Sequence, residues 1–265
     1  MIRFTDPQQA VLADRCIRPL CFAAPGDEFY GMDVIDITPH EGTTVRRMQY
    51  GLQGSAVLFT YRAGYYAVFT RHQIATVANE TPEAFKERMS YLIVLMNDGT
   101  DSTNIPFHDF LFAPDLDRED VSDYVIGVVY EAMLLPYSRG QFFPVIRQPV
   151  GRFGEPAMAA GFPSHRQQML MEKDGLRLQP VCKSGAVESR STSGVIRYPE
   201  DGEPLDGISG GAVFVPRILG PDPIFGMFID GIIQRRGGSY VRYLGIETIL
   251  NRIDGYLSGT DSVLR

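Results

Sequence analysis

Short runs of β-branched and aromatic residues recur along the chain, divided by clusters of glycine, proline and charge. Gln53-Gly54-Ser55-Ala56-Val57-Leu58-Phe59 and the run Tyr65-Tyr66-Ala67-Val68-Phe69-Thr70-Arg71-His72-Gln73-Ile74 each read as a buried strand. Arg62-Ala63-Gly64 supplies the turn between them, which predicts a hairpin whose second strand ends at an imidazole. A third apolar strand, Tyr124-Val125-Ile126-Gly127-Val128-Val129, follows a polar loop carrying Asp115, Asp117, Asp120 and Asp123. Helical spacing is confined to two places. Thr81-Pro82-Glu83 combines a cap with an N1 proline and opens a short helix through Arg88. Ile246, Ile249, Leu250, Ile253 and Leu257 share one face of a C-terminal helix that packs on the body. With 27 glycines, 18 prolines and many short β-rich runs in 265 residues, the chain reads as all-β and is long enough to bury two compact halves. It shows no internal repeat or low-complexity tract.

One segment carries chemistry. Leu205-Asp206-Gly207-Ile208-Ser209-Gly210-Gly211 sets a serine in a glycine-rich turn just before the apolar strand Ala212-Val213-Phe214-Val215. A hydroxyl that attacks a carbonyl creates an oxyanion, and backbone N–H donors must be in place to meet it. Gly207 and Ser209 are the natural donors of such an oxyanion hole, because glycine takes positive φ and leaves no Cβ in the path of a substrate. The plainer alternative is a turn that only feeds a strand.

A nucleophilic serine needs a base, and the histidines are His40, His72, His108 and His165, all ahead of Ser209. The order Ser, Asp/Glu, His of the α/β-hydrolases is therefore excluded. The subtilisin order finds an aspartate in Val34-Ile35-Asp36-Ile37-Thr38, but that family's histidine and serine surroundings are absent. The order His, Asp, Ser remains open. His72, at the end of its apolar run, is the candidate base. Asp123 adjoins a strand and can be held rigidly, which favours it over the loop acids as the group orienting the imidazole, with Asp120 next.

At these residues the chain resembles the trypsin-like (chymotrypsin-fold) serine peptidases, and most of all bacterial intracellular members without a zymogen prosegment. Gly54-Ser55-Ala56-Val57-Leu58-Phe59 with Val68-Phe69-Thr70-Arg71-His72 is similar to the family's first strands and histidine. Asp123-Tyr124-Val125-Ile126, Gly161-Phe162-Pro163 and Gly207-Ile208-Ser209-Gly210-Gly211 resemble its acid strand, its second-barrel Gly-aromatic-Pro and its serine motif. Ile224-Phe225-Gly226-Met227-Phe228-Ile229-Asp230-Gly231 resembles the strand bordering the specificity pocket. The resemblance runs from about Gln53 to Asp254. It implies two six-stranded antiparallel β-barrels with a C-terminal α-helix: an N-terminal extension over 1–28, a first barrel over 29–149, a second over 150–245, and helix and tail over 246–265. It further implies an endopeptidase with catalytic His72, Asp123 and Ser209, an oxyanion hole from Gly207 and Ser209, and substrate contacts from Glu203, Ile229, Asp230 and Gly231. Glu203 and Asp230 would favour cleavage after Arg or Lys.

The departures are informative. Ile208 stands where members activated by cleavage keep an aspartate, so activation by a newly made N-terminus is not expected, and control falls to loops or an activating protein partner. Gln73 stands where a disulfide-forming cysteine often follows the histidine. The alternative reading is a trypsin-like fold that binds proteins without cleaving them, or is held inactive until a partner arrives. Cys16, Cys21 and Cys182 are an odd set without metal-type spacing and are expected as free thiols. No apolar segment suits a convincing signal peptide or a membrane span, so the expected location is cytoplasmic. A formal net charge of −7 argues against nucleic acid as a partner. No metal or cofactor is expected, and the expected ligand is a protein or peptide substrate.

Overall fold

The computed structural model describes residues 16–25, 34–37, 48–74, 89, 92–97, 102–105, 107–113, 119–147, 153–163, 168–170, 175–177, 179–190, 193–199, 205–219 and 224–259. The short helix expected from Thr81 to Arg88 lies outside them.

The first half is built from β1 (Ile17–Pro25), β2 (Val34–Ile37), β3 (Met48–Tyr61), β4 (Gly64–Phe69), β5 (Leu92–Asn97), β6 (Ser102–Asn104), β7 (Phe107–Phe112), β8 (Val125–Val129) and β9 (Phe143–Pro144). These form one sheet in the order β6-β5-β1-β3-β4-β8-β7, with β2 and β9 added on β3. The second half holds β10 (Pro156–Gly161), β11 (Gln168–Leu170), β12 (Gly175–Arg177), β13 (Val181–Arg190), β14 (Ser193–Arg197), β15 (Ala212–Leu219), β16 (Ile224–Gly237) and β17 (Tyr240–Gly245). Six of them close a barrel in the order β10-β13-β14-β17-β16-β15, and β11 and β12 pair as a separate ribbon. Two short helices, α1 (Glu119–Ser122) and α2 (Pro136–Arg139), belong to the first half and its exit, and α3 (Ile246–Leu257) ends the described chain. No helix among the described residues is long and apolar enough to cross a membrane.

The predicted hairpin is present. β3 and β4 pair from Val57↔Val68 to Tyr61↔Gly64, and Arg62 at the tip takes a φ of 53°. Two expectations shift. The segment assigned to an extension contains β1, which pairs with β3 from Ile17↔Val57 to Pro25↔Met48. Ile17 and Leu20 are fully buried, so the first half begins near residue 17 and not at 29. The strand expected to run on to Ile74 ends at Phe69, and His72 sits on a 3₁₀ turn, Arg71–Ile74.

Strand alternation divides the apolar residues between three cores. Along β3, Ala56 and Leu58 face the interior of the first half, while Val57 and Phe59 face the other way, into a core shared with the second half. On β10, Ala157 and Ala159 fill the second barrel, and Met158 and Ala160 join the shared core. β15 repeats the pattern, with Val213 and Val215 inside and Ala212 and Phe214 between the halves. Burial on both faces explains why these strands read as unbroken apolar runs. Helix α3 caps the shared core with Ile246, Ile249, Leu250 and Ile253. Leu257, expected on the same face, is half exposed at the helix end.

Candidate active site

His72, on the turn that follows β4, and Asp123, just ahead of β8, are brought together by the pairing of β4 with β8. The 3₁₀ turn after β4 places the imidazole at the rim, with 45% of its side chain exposed. Asp123 lies in the break between α1 and β8 and is 7% exposed. β4 and β8 pair from Tyr66↔Val128 to Phe69↔Val125, which puts this break beside the start of the turn. The carboxylate grips one residue twice: Oδ2 lies 2.7 Å from Nδ1 of His72, and Oδ1 accepts its backbone N–H at 3.0 Å. Holding the N–H on Nδ1 leaves the lone pair on Nε2, the tautomer a general base requires. Nε2 lies 3.4 Å from the Thr70 hydroxyl.

Ser209 sits in a loop shaped by tight turns and by packing. Ile208 N–H donates to Leu205 O, and Gly211 N–H donates to Ile208 O. Gly207 and Gly210 take φ of +91° and +79°, conformations that suit glycine. The Ile208 side chain, 1% exposed, is part of the second-barrel core, which gives a packing reason for an apolar residue beside Ser209. Among the described residues, the N–H groups of Gly207 and Ser209 donate to no protein acceptor. Ser209 Oγ donates to the carbonyl of Gln234 at 3.1 Å.

The loop is tied to both halves. Gly210 N–H donates to Ile233 O, and Ile233 N–H donates back to Gly211 O, each at 2.8 Å, which continues the β15–β16 ladder around the nucleophile. From β3, Ser55 N–H donates to Ser209 O at 3.0 Å, and Ser55 Oγ donates to Gly207 O at 3.2 Å. The same hydroxyl accepts Phe162 N–H at 2.8 Å, so Ser55 fastens the Gly161-Phe162-Pro163 segment as well. From the histidine turn, Gln73 Nε2 donates to Ser209 O at 2.7 Å. Ser55 and Gln73 were not singled out as site residues. The sole sequence signal is the glutamine standing where the peptidases that the sequence resembles often carry a cysteine.

The expected substrate strand needs correction. Ile229, Asp230 and Gly231 are buried in the wall of the second barrel, and Asp230 accepts the Tyr243 hydroxyl at 2.8 Å. Asp230 is 3% exposed and does not open onto a pocket mouth. The part of β16 that reaches the nucleophile is Ile233-Gln234, a few residues further on. Here the register passes from Ile233↔Tyr243 to Arg235↔Arg242, so Gln234 is the extra residue of a β-bulge. Bulges re-aim a strand, and this one turns the Gln234 carbonyl to Ser209. Its carboxamide is 2% exposed, and both polar atoms lack a hydrogen-bond partner. Glu203 lies outside the described residues. Among those described, no cluster of three His, Cys, Asp or Glu could hold a metal ion.

No family model and no curated protein matches this chain. The solved structure "HtrA-type protease AlgW with decapeptide" matches it with a TM-score of 0.54 and 14% identity, over 96% of this chain and 68% of that one. The likeness is one of fold. The chain has the all-β chymotrypsin-type architecture with a C-terminal helix, and this solved neighbour is an HtrA-type protease with a decapeptide.

Proposed function

We propose that the protein is a serine endopeptidase with His72, Asp123 and Ser209 as its triad. The observation that carries the reading is the double grip of Asp123 on His72, in a fold whose loop presents Ser209 between two positive-φ glycines and leaves the N–H groups of Gly207 and Ser209 uncommitted among the described residues. Rotation about χ1 brings the Ser209 hydroxyl from the Gln234 carbonyl toward Nε2. The oxygen then attacks the peptide carbonyl while its proton passes to His72, and the N–H groups of Gly207 and Ser209 receive the oxyanion. Collapse breaks the C–N bond, the amine leaves with the proton from His72, and an ester remains on Ser209. Water gives a proton to His72 and its oxygen to the ester carbonyl, and the released serine recovers that proton. The substrate backbone lies beside the Gln234 end of β16. Cleavage after Arg or Lys now rests on Glu203 alone, because Asp230 is committed to Tyr243.

Treatment with a fluorophosphonate probe followed by peptide mass spectrometry tests the reading. The expected result is an adduct on Ser209 that is absent from Ser209→Ala and His72→Ala. Folded wild-type protein that acquires no adduct under any condition refutes it. One observation favours a second reading, a protease fold gated by a partner: the nucleophilic hydroxyl rests on Gln234 and not on the imidazole. Labelling that begins only when a peptide or protein is added would select that reading.

A further inference from the structure

We propose that Gln73 is the positioning residue that sets Ser209 against His72, an inference that rests on the peptidase reading above. Gln73 is 6% exposed and its carboxamide is fully engaged. Oε1 accepts the Thr70 N–H at 2.8 Å, which closes the turn that carries His72. Nε2 faces three carbonyls, those of Ser209 at 2.7 Å, Ser55 at 3.3 Å and Gln53 at 3.4 Å. One side chain therefore holds the base's turn with its oxygen and the nucleophile's backbone with its nitrogen, across the boundary between the halves.

The surroundings are shaped around this group. A Cβ on Gly54 would lie 2.1 Å from Gln73 Nε2, and Gly54 has a φ of +140°. A Cβ on Gly210 would lie 2.7 Å from Gln73 Oε1 and 1.9 Å from Ser55 O. Glycine at both positions leaves room for the carboxamide between β3 and the nucleophile loop. The residue type is selective too. The site requires one acceptor and two donors on a planar head, which an uncharged amide supplies. A carboxylate would set an acceptor against three carbonyls, and lysine or arginine would leave the Thr70 N–H unpaired. With its carbonyl held by Gln73 and Ser55, Ser209 has a fixed backbone, and χ1 is the motion that carries its hydroxyl between Gln234 and His72. Loss of the Gln73 bond to Ser209 moves the nucleophile, while the two bonds from Asp123 still hold His72 on its turn.

The test measures the fluorophosphonate inactivation rate at saturation and the apparent affinity of the probe, on the full chain, for wild type, Gln73→Met, Gln73→Glu and Gln73→Asn. Thermal melts on the same samples report folding. Displacing a reacting atom by an ångström costs about 100-fold in rate, and that is the expected loss for Gln73→Met and Gln73→Glu, confined to the saturated rate. Probe affinity of both variants and, for the uncharged Gln73→Met, the pH midpoint of inactivation are expected to stay at wild-type values, because the probe's contacts are untouched and both Asp123 bonds to His72 remain. A loss of fold would instead lower the fraction of protein labelled. If Gln73→Met and Gln73→Glu do not fold, Gln73→Asn decides, because it keeps both functions of the amide one methylene short of Ser209. A folded Gln73 variant that inactivates at the wild-type rate overturns the proposal and leaves the peptidase reading standing. Wild type that is never labelled overturns both.

Discussion

The two halves hold the proposed catalytic residues by different means. His72 lies past the end of β4, on a turn held by side chains, the Asp123 carboxylate on one flank and the Gln73 carboxamide on the other. Ser209 lies in a loop held mainly by backbone, through the continuation of the β15–β16 ladder, turns of its own and two bonds from Ser55. The barrel behind the serine is closed, whereas β4 belongs to a nine-stranded sheet. Polar side-chain changes therefore act most strongly on the first half. Changes of shape, such as an added Cβ or a charge sent into the barrel, act on the second.

The largest effect tests the side-chain end. Asp123→Asn keeps the shape of the carboxyl group but can turn an N–H toward Nδ1, which reverses the imidazole tautomer. A drop of about 10⁴-fold in the rate of probe labelling is expected, with the melting temperature little changed. A variant labelled within a few-fold of wild type would remove the distinction drawn between the halves.

Ile208→Asp tests the shape-held end. It would place an aspartate into the second-barrel core, where Ile208 is 1% exposed. An unpaired buried carboxylate and the lost packing are expected to cost about 4 kcal/mol, read as a shift of the urea midpoint at unchanged slope. Stability equal to wild type would show that this side chain has a polar destination.

Gln234 supplies a smaller effect of opposite sign. Its buried carboxamide has no partner, while its backbone carbonyl receives Ser209. Gln234→Met keeps the volume and the bulge and removes the unpaired group, so stability should rise by about 1 kcal/mol. A loss of stability in chemical denaturation would mean that the amide is satisfied in solution.

The smallest effect concerns the clamp joining the halves to α3. Arg147, in the segment after β9, donates to Asn251 at 2.7 Å and Asp254 at 2.8 Å and pairs with Glu247. The Arg147 hydrogen bond holds the Asp254 carboxyl below its ordinary value of 3.8. A depressed carboxyl contributes stability above that ordinary value and loses it as pH falls through the folded value. Below about pH 4 the melting temperature of wild type should therefore fall slightly faster than that of Asp254→Asn. Parallel curves would show that the clamp is screened by solvent.

Much of the site was legible because its chemistry is local in the chain. A serine among glycines and an aspartate and a histidine flanking apolar strands leave marks within a few residues. The β3–β4 hairpin and α3 were legible for the same reason, since period-two runs around a short turn and a helical stripe are local patterns. β1 was missed because its apolar run is short and its partner, β3, begins 23 residues after it ends. Which part of β16 nears Ser209 is not legible, because an apolar run does not show where a bulge falls, and the bulge at Gln234 exists only through the pairing of β16 with β17.

The sequence by itself determined the all-β class, the hairpin and the C-terminal helix, which follow from periodicity, and it pointed to the three proposed catalytic residues through a glycine-rich turn, the order of the candidates and the resemblance they carry. Tertiary structure alone decided that Gln73 and Ser55 converge on Ser209, that Asp230 turns inward to Tyr243 and that Gln234 stands over the nucleophile. Those contacts join residues far apart in the chain, 136 positions for Gln73 and Ser209 and 152 for Ser55 and Gly207 of the same loop. Such contacts depend on two sheets meeting across a shared core, and local patterning carries no record of that meeting.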